Sequence, residues 1–152
     1  MRNACPGILV DTNVFLYAHD PHERAKGLQA IEVLSALDQR SLGVVSTQIL
    51  GEFFVNACRK LRPPLTPEEA ARAVRHYARA WPVLEPTAGT VLEAIRGVIE
   101  HQLHYYDALI WATARENRIS LVLSEDCHDE RDIEGVLFRN PVEPGFSLDE
   151  LV

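Results

Sequence analysis

Cysteine is scarce and scattered in this chain: Cys5, Cys58 and Cys127 are the only three in 152 residues. An odd number with no CxxC spacing argues against both a disulfide framework and a thiolate zinc site. No apolar run approaches the roughly 20 residues that cross a bilayer. The opening Met1-Arg2-Asn3-Ala4-Cys5-Pro6 lacks the charged and apolar regions of a secretion signal. The expectation is a cytoplasmic protein with reduced thiols and no membrane partner. Positive charge is in deficit, with 15 Lys and Arg against 22 Asp and Glu and a net charge of −7. That balance argues against a protein that coats nucleic acid non-specifically, although it says nothing of local stripes. The phosphate-cradling GxxxxGK[ST] and GxGxxG loops, the GxSxG elbow and the HExxH zinc helix are all missing. Asn13 stands where an aspartyl-phosphate phosphatase would carry its second aspartate.

What remains is apolar enough, at 47%, for one globular domain with a real core. Ile8 to Asp11 reads as a first strand, followed by a short apolar helix from Val14 to Ala18. Asp20-Pro21-His22-Glu23 has the form of a helix start, an Asx cap with proline at the first position. That helix should run to about Leu37, with Leu28, Ile31, Leu34 and Leu37 turned inward. Gly43 to Ser46 is a second strand, and Ser46 or Thr47 caps a helix reaching about Lys60. Arg62-Pro63-Pro64-Leu65 breaks it, and Thr66-Pro67-Glu68-Glu69 opens another to Ala80. Trp81 to Leu84 suits an edge strand, because Pro82 removes a ladder donor. Helices from about Thr87 to His101 and from Tyr105 or Tyr106 to Asn117 follow, then strands at Ser120 to Ser124 and Val136 to Arg139. The order β-α-α-β-α-α-β-α-α-β-β predicts an α/β fold with a mainly parallel sheet flanked by helices.

Chemistry concentrates in four acids. Asp11 ends the first strand and Asp126 follows the fourth, positions where open α/β sheets place their sites. Glu52 and Asp107 sit on otherwise apolar helical segments. Each has a plain alternative: turn and cap chemistry for Asp11, a solvated face for Glu52, the helix dipole for Asp107, an acidic loop for Asp126. Their combination carries the inference, because oxygen ligands without a matching histidine or cysteine set suit a hard cation. His101-x-x-His104-x-x-Asp107 has helical spacing but reads as core edge or solvent, and His19 and His22 read as exposed. Arg72, Arg75 and Arg79 recur at i, i+3 and i+7, as either a solvated face or a stripe contacting a polynucleotide backbone.

In these segments the chain resembles the PIN-domain family, and more narrowly the VapC-type toxin ribonucleases of toxin–antitoxin pairs. The resemblance rests on Leu9-Val10-Asp11-Thr12-Asn13-Val14, on Ser46-Thr47-Gln48 with Glu52-Phe53, on Tyr106-Asp107-Ala108-Leu109-Ile110 and on Leu123-Ser124-Glu125-Asp126. It implies a three-layer α/β/α fold, one domain over residues 1–152, with acids meeting at one end of the sheet around Mg²⁺ or Mn²⁺. Asp11, Glu52, Asp107 and Asp126 match the family's four acidic positions, with catalytic and metal-binding roles. Asn13 and Ser124 match polar positions beside them, and Ser46 and Thr47 the polar start of the helix bearing Glu52. The chain departs from the family after Asp126, where Cys127-His128-Asp129-Glu130 replaces the usual Asp-Gly turn. The implied activity is endoribonuclease cleavage of RNA, with a cognate antitoxin protein as partner and a homodimer as assembly. Two other readings stay open: a non-enzymatic PIN-like module binding RNA or protein, and a DNA-directed nuclease with the same metal site.

Overall fold

The computed structural model describes residues 7–126 and 130–152. Three short apolar runs form its centre: β1 (Ile8–Val10), β2 (Gly43–Ser46) and β4 (Leu121–Leu123), every residue of which is buried. Runs with no polar alternation are what a parallel sheet covered on both faces requires. β1 pairs in parallel with β2 on one side, Leu9 opposite Val44, and with β4 on the other, Leu9 opposite Val122. β3 (Val83–Leu84) adds in parallel beyond β2, and β6 (Val136–Arg139) in parallel beyond β4. β5 (Asp132–Ile133) closes the far edge antiparallel to β6, giving the order β3-β2-β1-β4-β6-β5.

Six α-helices among the described residues flank this sheet: α1 (Thr12–Ala18), α2 (Arg24–Gln39), α3 (Thr47–Arg59), α4 (Pro67–Ala80), α5 (Ala88–His101) and α6 (Tyr105–Glu116), with a short 3-10 turn at Leu148–Glu150. Side chains fix the starts of α3, α4 and α5, as Asp11 does for α1. Ser46 Oγ accepts from the Ile49 N–H at 3.2 Å, Thr66 Oγ1 accepts from that of Glu69 at 3.2 Å, and Thr87 with Thr90 forms a reciprocal capping box. Aromatic rings join α1, α3 and α4: Phe15 lies 4.6 Å from Tyr77, 5.6 Å from Trp81 and 6.5 Å from Phe53 between centroids. On α6, Trp111 is fully buried and packs against Gly97 of α5, where a Cβ would come within 2.8 Å of the indole. No helix among the described residues is long and apolar enough to cross a membrane.

The parallel sheet flanked by helices agrees with the predicted class, and most boundaries fall within two residues. Four local readings change. α1 begins at Thr12, because Asp11 caps it. α2 begins at Arg24, since the Asp20 side chain accepts from the His22 N–H at 3.0 Å in a local turn instead of capping a helix. Leu28 and Ile31 face outward, 60% and 47% exposed, while Ala30, Val33, Leu34 and Leu37 are buried. Gly27 sets that phase: a Cβ there would lie 2.9 Å from the Tyr17 carbonyl, so α2 meets α1 through small residues rather than leucines. His19 is half-buried rather than exposed, its ring 5.3 Å from Phe53 and its Nε2 2.8 Å from the Tyr77 hydroxyl. The short strand β5 is an addition to the expected elements.

Candidate active site

The sheet order sets the place of the site. From β1 the chain adds β2 and then β3 on one side, and crosses back to lay β4 on the other. The carboxyl ends of β1 and β4 thus flank the switch point, where open α/β sheets place their sites. Asp11 sits there, directly after β1, and is only 5% exposed. Its Oδ1 accepts from the Thr12 N–H at 2.6 Å, and its Oδ2 accepts from Ser124 Oγ, on the neighbouring strand end, at 2.7 Å. Burial pushes its carboxyl up to about 6 from 3.8; the two hydrogen bonds offset part of that, and the charges of Asp107 and Glu52 add to it.

The other acids approach Asp11 from separate elements: the charges of Asp107 and Glu52 bear on it, while Asp107 and Asp126 line a cavity that Asp11 and Glu52 do not enter. Glu52, half-buried in the second turn of α3, accepts at Oε2 from Thr12 Oγ1 at 3.0 Å and at Oε1 from Gln48 Nε2 at 3.4 Å. Asp126, exposed in the turn after β4, accepts at Oδ2 from Asn13 Nδ2 at 3.1 Å. Asp107, half-buried in the first turn of α6, lines a cavity together with Asp126. Asn13 also donates to Ser124 Oγ at 3.4 Å, and its Oδ1 accepts from the Glu125 N–H at 3.3 Å. One asparagine on α1 thus ties Ser124, Glu125 and Asp126 together.

Of the expected supporting residues, Asn13 and Ser124 touch the acids directly. Ser46 is engaged in capping α3, and Thr47 lies exposed at the first position of that helix. Thr12 and Gln48 were missed by sequence reasoning. Threonine after a strand-end aspartate looks like cap chemistry, and Gln48 looks like one more polar residue in a helix start. A helical i, i+4 spacing to Glu52 was the signal available for Gln48. Glu125 reads in sequence as part of a solvated loop; it is instead anchored, 2.5 Å from the Tyr17 hydroxyl and 2.9 Å from Lys26 Nζ. Asp129 lies outside the described residues. Arg72, Arg75 and Arg79 are exposed and, with His76 and Ala80, line one open cavity of about 330 Å³ that none of the four acids enters.

The donor set fits a hard divalent cation. Buried Asp11 carries like charges as neighbours, and Gln48 Oε1 is a buried oxygen with no hydrogen-bond partner among the described residues. A cation would favour the ionised form of Asp11 and offset the repulsion among these carboxylates. A tighter set of possible ligand atoms occurs elsewhere, where those of Glu100, His101 and Glu134 lie within 4.8 Å of one another. There, however, Arg96 reaches Glu100 at 2.7 Å and Glu134 at 3.0 Å, and Arg115 reaches Glu134 at 3.6 Å. Those carboxylates already have cationic partners, so compactness alone does not make them the better metal site.

The raised Asp11 carboxyl has a consequence for stability. In the unfolded chain it ionises near 3.8, and in the folded protein near 6. Between those values the folded state holds a proton that the unfolded state has released, so raising the pH through this window disfavours folding. The separation corresponds to about 3 kcal/mol at neutral pH as an order of magnitude. In EDTA, Asp11→Asn should therefore have a higher thermal midpoint than wild type at about pH 7.5, with the gain vanishing towards about pH 4. Equal midpoints at the higher pH would contradict the buried-charge account.

Comparison with known proteins gives the geometry a context. Residues 8–129 match the family model of the PIN domain. None of the curated proteins compared matches the chain in sequence. Among solved structures, VapC20 of Mycobacterium tuberculosis, described as a sarcin-ricin loop cleaving toxin, superposes with a TM-score of 0.65 at 21% identity, over 79% of this chain and 92% of that one. A toxin–antitoxin complex from Klebsiella pneumoniae gives 0.66 at 19% identity, covering 89% and 98%. VapBC2 from Rickettsia felis, bound to a DNA fragment from its promoter, gives 0.62 at 14% identity, covering 88% and 97%. At these identities the superpositions speak for the fold, whereas the family match spans most of the chain. The chain belongs to the PIN domain family.

Proposed function

We propose that the protein is a metal-dependent endoribonuclease, acting in the cytoplasm as the toxin of a toxin–antitoxin pair. The observation that carries this reading is that the charges of Glu52 and Asp107 bear on buried Asp11, while Asn13 and Ser124 tie Asp126 to the same strand end. Asp11 and Asp107 are the central ligands for Mg²⁺ or Mn²⁺, with Asp126 and Glu52 completing the set. When bound, the cation supplies Lewis-acid assistance, activating water and offsetting charge on the phosphodiester. The chain's own groups supply position. Ser124 Oγ and the Thr12 N–H fix the rotation of the Asp11 carboxylate, and Asn13 holds Asp126. Glu52, steadied by Thr12 and Gln48, is the acid we assign to take the proton from the attacking water. Water adds to phosphorus as the bond to the leaving sugar oxygen breaks.

The partners follow from the same reading. One of the solved structures named above is a toxin–antitoxin complex, and a carboxylate-lined crevice is a fitting receptor for a guanidinium from a co-encoded antitoxin. The assembly we assign is a homodimer. Asp11→Asn should leave the protein folded and abolish cleavage of RNA in Mg²⁺ or Mn²⁺, and should relieve the growth arrest caused by induced wild-type protein. Cleavage that persists undiminished in excess EDTA, or in the variant, would contradict the mechanism. A single-stranded DNA of the same sequence cut as readily as RNA would favour the DNA-directed nuclease.

The arginines of α4 are assigned to phosphate contacts that carry affinity without sequence preference. Alanine at Arg72, Arg75 and Arg79 together should weaken RNA binding and make log K fall less steeply with log salt, by roughly 0.7 for each phosphate that is no longer neutralised. An unchanged slope would return these residues to a plain solvated face.

A further inference from the structure

The cavity into which Asp107 and Asp126 face has a second half that the acids do not explain. The whole cavity measures about 200 Å³, and the apolar part of its wall is made by Leu103, Ile133 and Phe138. Three polar side chains, Gln102, His104 and Arg131, line it as well. Gln102 and His104 belong to the elbow between α5 and α6, where Gln102 takes a left-handed conformation (φ 55°, ψ 33°) and the chain turns within three residues. Arg131 comes from the approach to β5 and braces that elbow, its Nη2 donating to the His101 carbonyl at 2.8 Å. This leaves further guanidinium N–H groups, and Gln102 uses one amide hydrogen on the Ile99 carbonyl, leaving its carboxamide oxygen.

We propose that this half-cavity is a base-binding subsite, which takes one unstacked nucleobase next to the phosphodiester held at the acids. The inference rests on the nuclease reading above and adds where sequence preference arises. A nucleobase is a flat apolar ring with a polar edge, and the cavity matches both features: an apolar wall for the face, donors and an acceptor for the edge. Single-stranded RNA is read in this way, through splayed bases packed on side chains and hydrogen-bonded at their edges. The His104 ring, inclined 30° to that of Tyr106 with centroids 6.3 Å apart, offers a further stacking surface at the rim. Among the described residues, Arg131 is the one lysine or arginine lining the cavity. It supplies a cation beside a group of carboxylates, where a polyanion would otherwise meet negative charge. Arginine and a carboxamide together can distinguish bases that present acceptor pairs from those that present donors.

The test is binding without turnover. The full-length protein in EDTA is titrated separately with the four nucleoside monophosphates and with inorganic phosphate, and backbone amide shifts are followed by NMR. The proposal expects one or two of the four bases to shift residues 102–104 and 131–133 selectively, with phosphate alone far weaker. Gln102→Ala and Arg131→Met should each weaken that binding about tenfold, as the removal of one or two hydrogen bonds does. Gln102→Ala alters an exposed side chain and keeps the test valid should Arg131→Met unfold. The proposal is overturned if none of the four moves these amides, if all four and phosphate move them equally, or if the variants bind as wild type does. Failure of the nuclease reading would show separately, as wild-type protein that does not cut RNA in Mn²⁺.

Discussion

A carboxylate buried at the end of a central strand is the constraint around which this structure is arranged. Asp11 is almost fully enclosed, yet it lies next to two further acids whose charge opposes its ionisation. A buried charge is tolerated only when hydrogen-bonded or neutralised. The fold supplies the first condition with a hydroxyl from β4's end and a backbone N–H from α1. Among the described residues no cationic group supplies the second. Elsewhere the protein treats its acids differently: Glu93, Glu100 and Glu134 are ringed by Arg96 and Arg115. Glu93, Glu100 and Glu134 are neutralised by arginine, whereas Asp11 at the switch point has like charge for company. That contrast is the strongest physical sign of which set is for use.

The same constraint explains why polar residues of modest appearance matter. Thr12 and Gln48 donate to opposite oxygens of Glu52, and Asn13 ties Ser124, Glu125 and Asp126 into one turn. Neutral donors orient carboxylates without cancelling their charge, so a cation bound there, as we propose, would meet their full pull. An arginine in the place of Gln48 would do the opposite. The anchoring of Glu125 by Tyr17 and Lys26 belongs to the same logic, since it removes one acid of the loop from competition.

Much of this was legible in the chain itself. Strands β1, β2 and β4 announce themselves as short unbroken apolar runs, and the caps at Ser46, Thr66 and Thr87 as side chains that can reach an orphan N–H. The four acids were identifiable as a group, because no local role accounts for all of them at once. What escaped has several causes. Leu28 and Ile31 looked inward by hydrophobicity, but the close approach of α2 to α1 selects Gly27 and Ala30 for the interface. Asp20-Pro21 has a helix-start pattern, yet its side chain found a nearer partner in the His22 N–H. The two residues of β5 are too few to carry a periodicity. Thr12 gains meaning only through its bond to Glu52 across the fold, whereas Gln48 had a local i, i+4 spacing to Glu52.

The central question is therefore where a divalent cation binds. A crystal grown with Mn²⁺, with its anomalous scattering mapped, would answer it. The prediction is a peak bounded by Asp11 and Asp107, within reach of Glu52 or Asp126, that disappears in Asp11→Asn. Manganese found only at Glu100, His101 and Glu134, with nothing at the ends of β1 and β4, would contradict it.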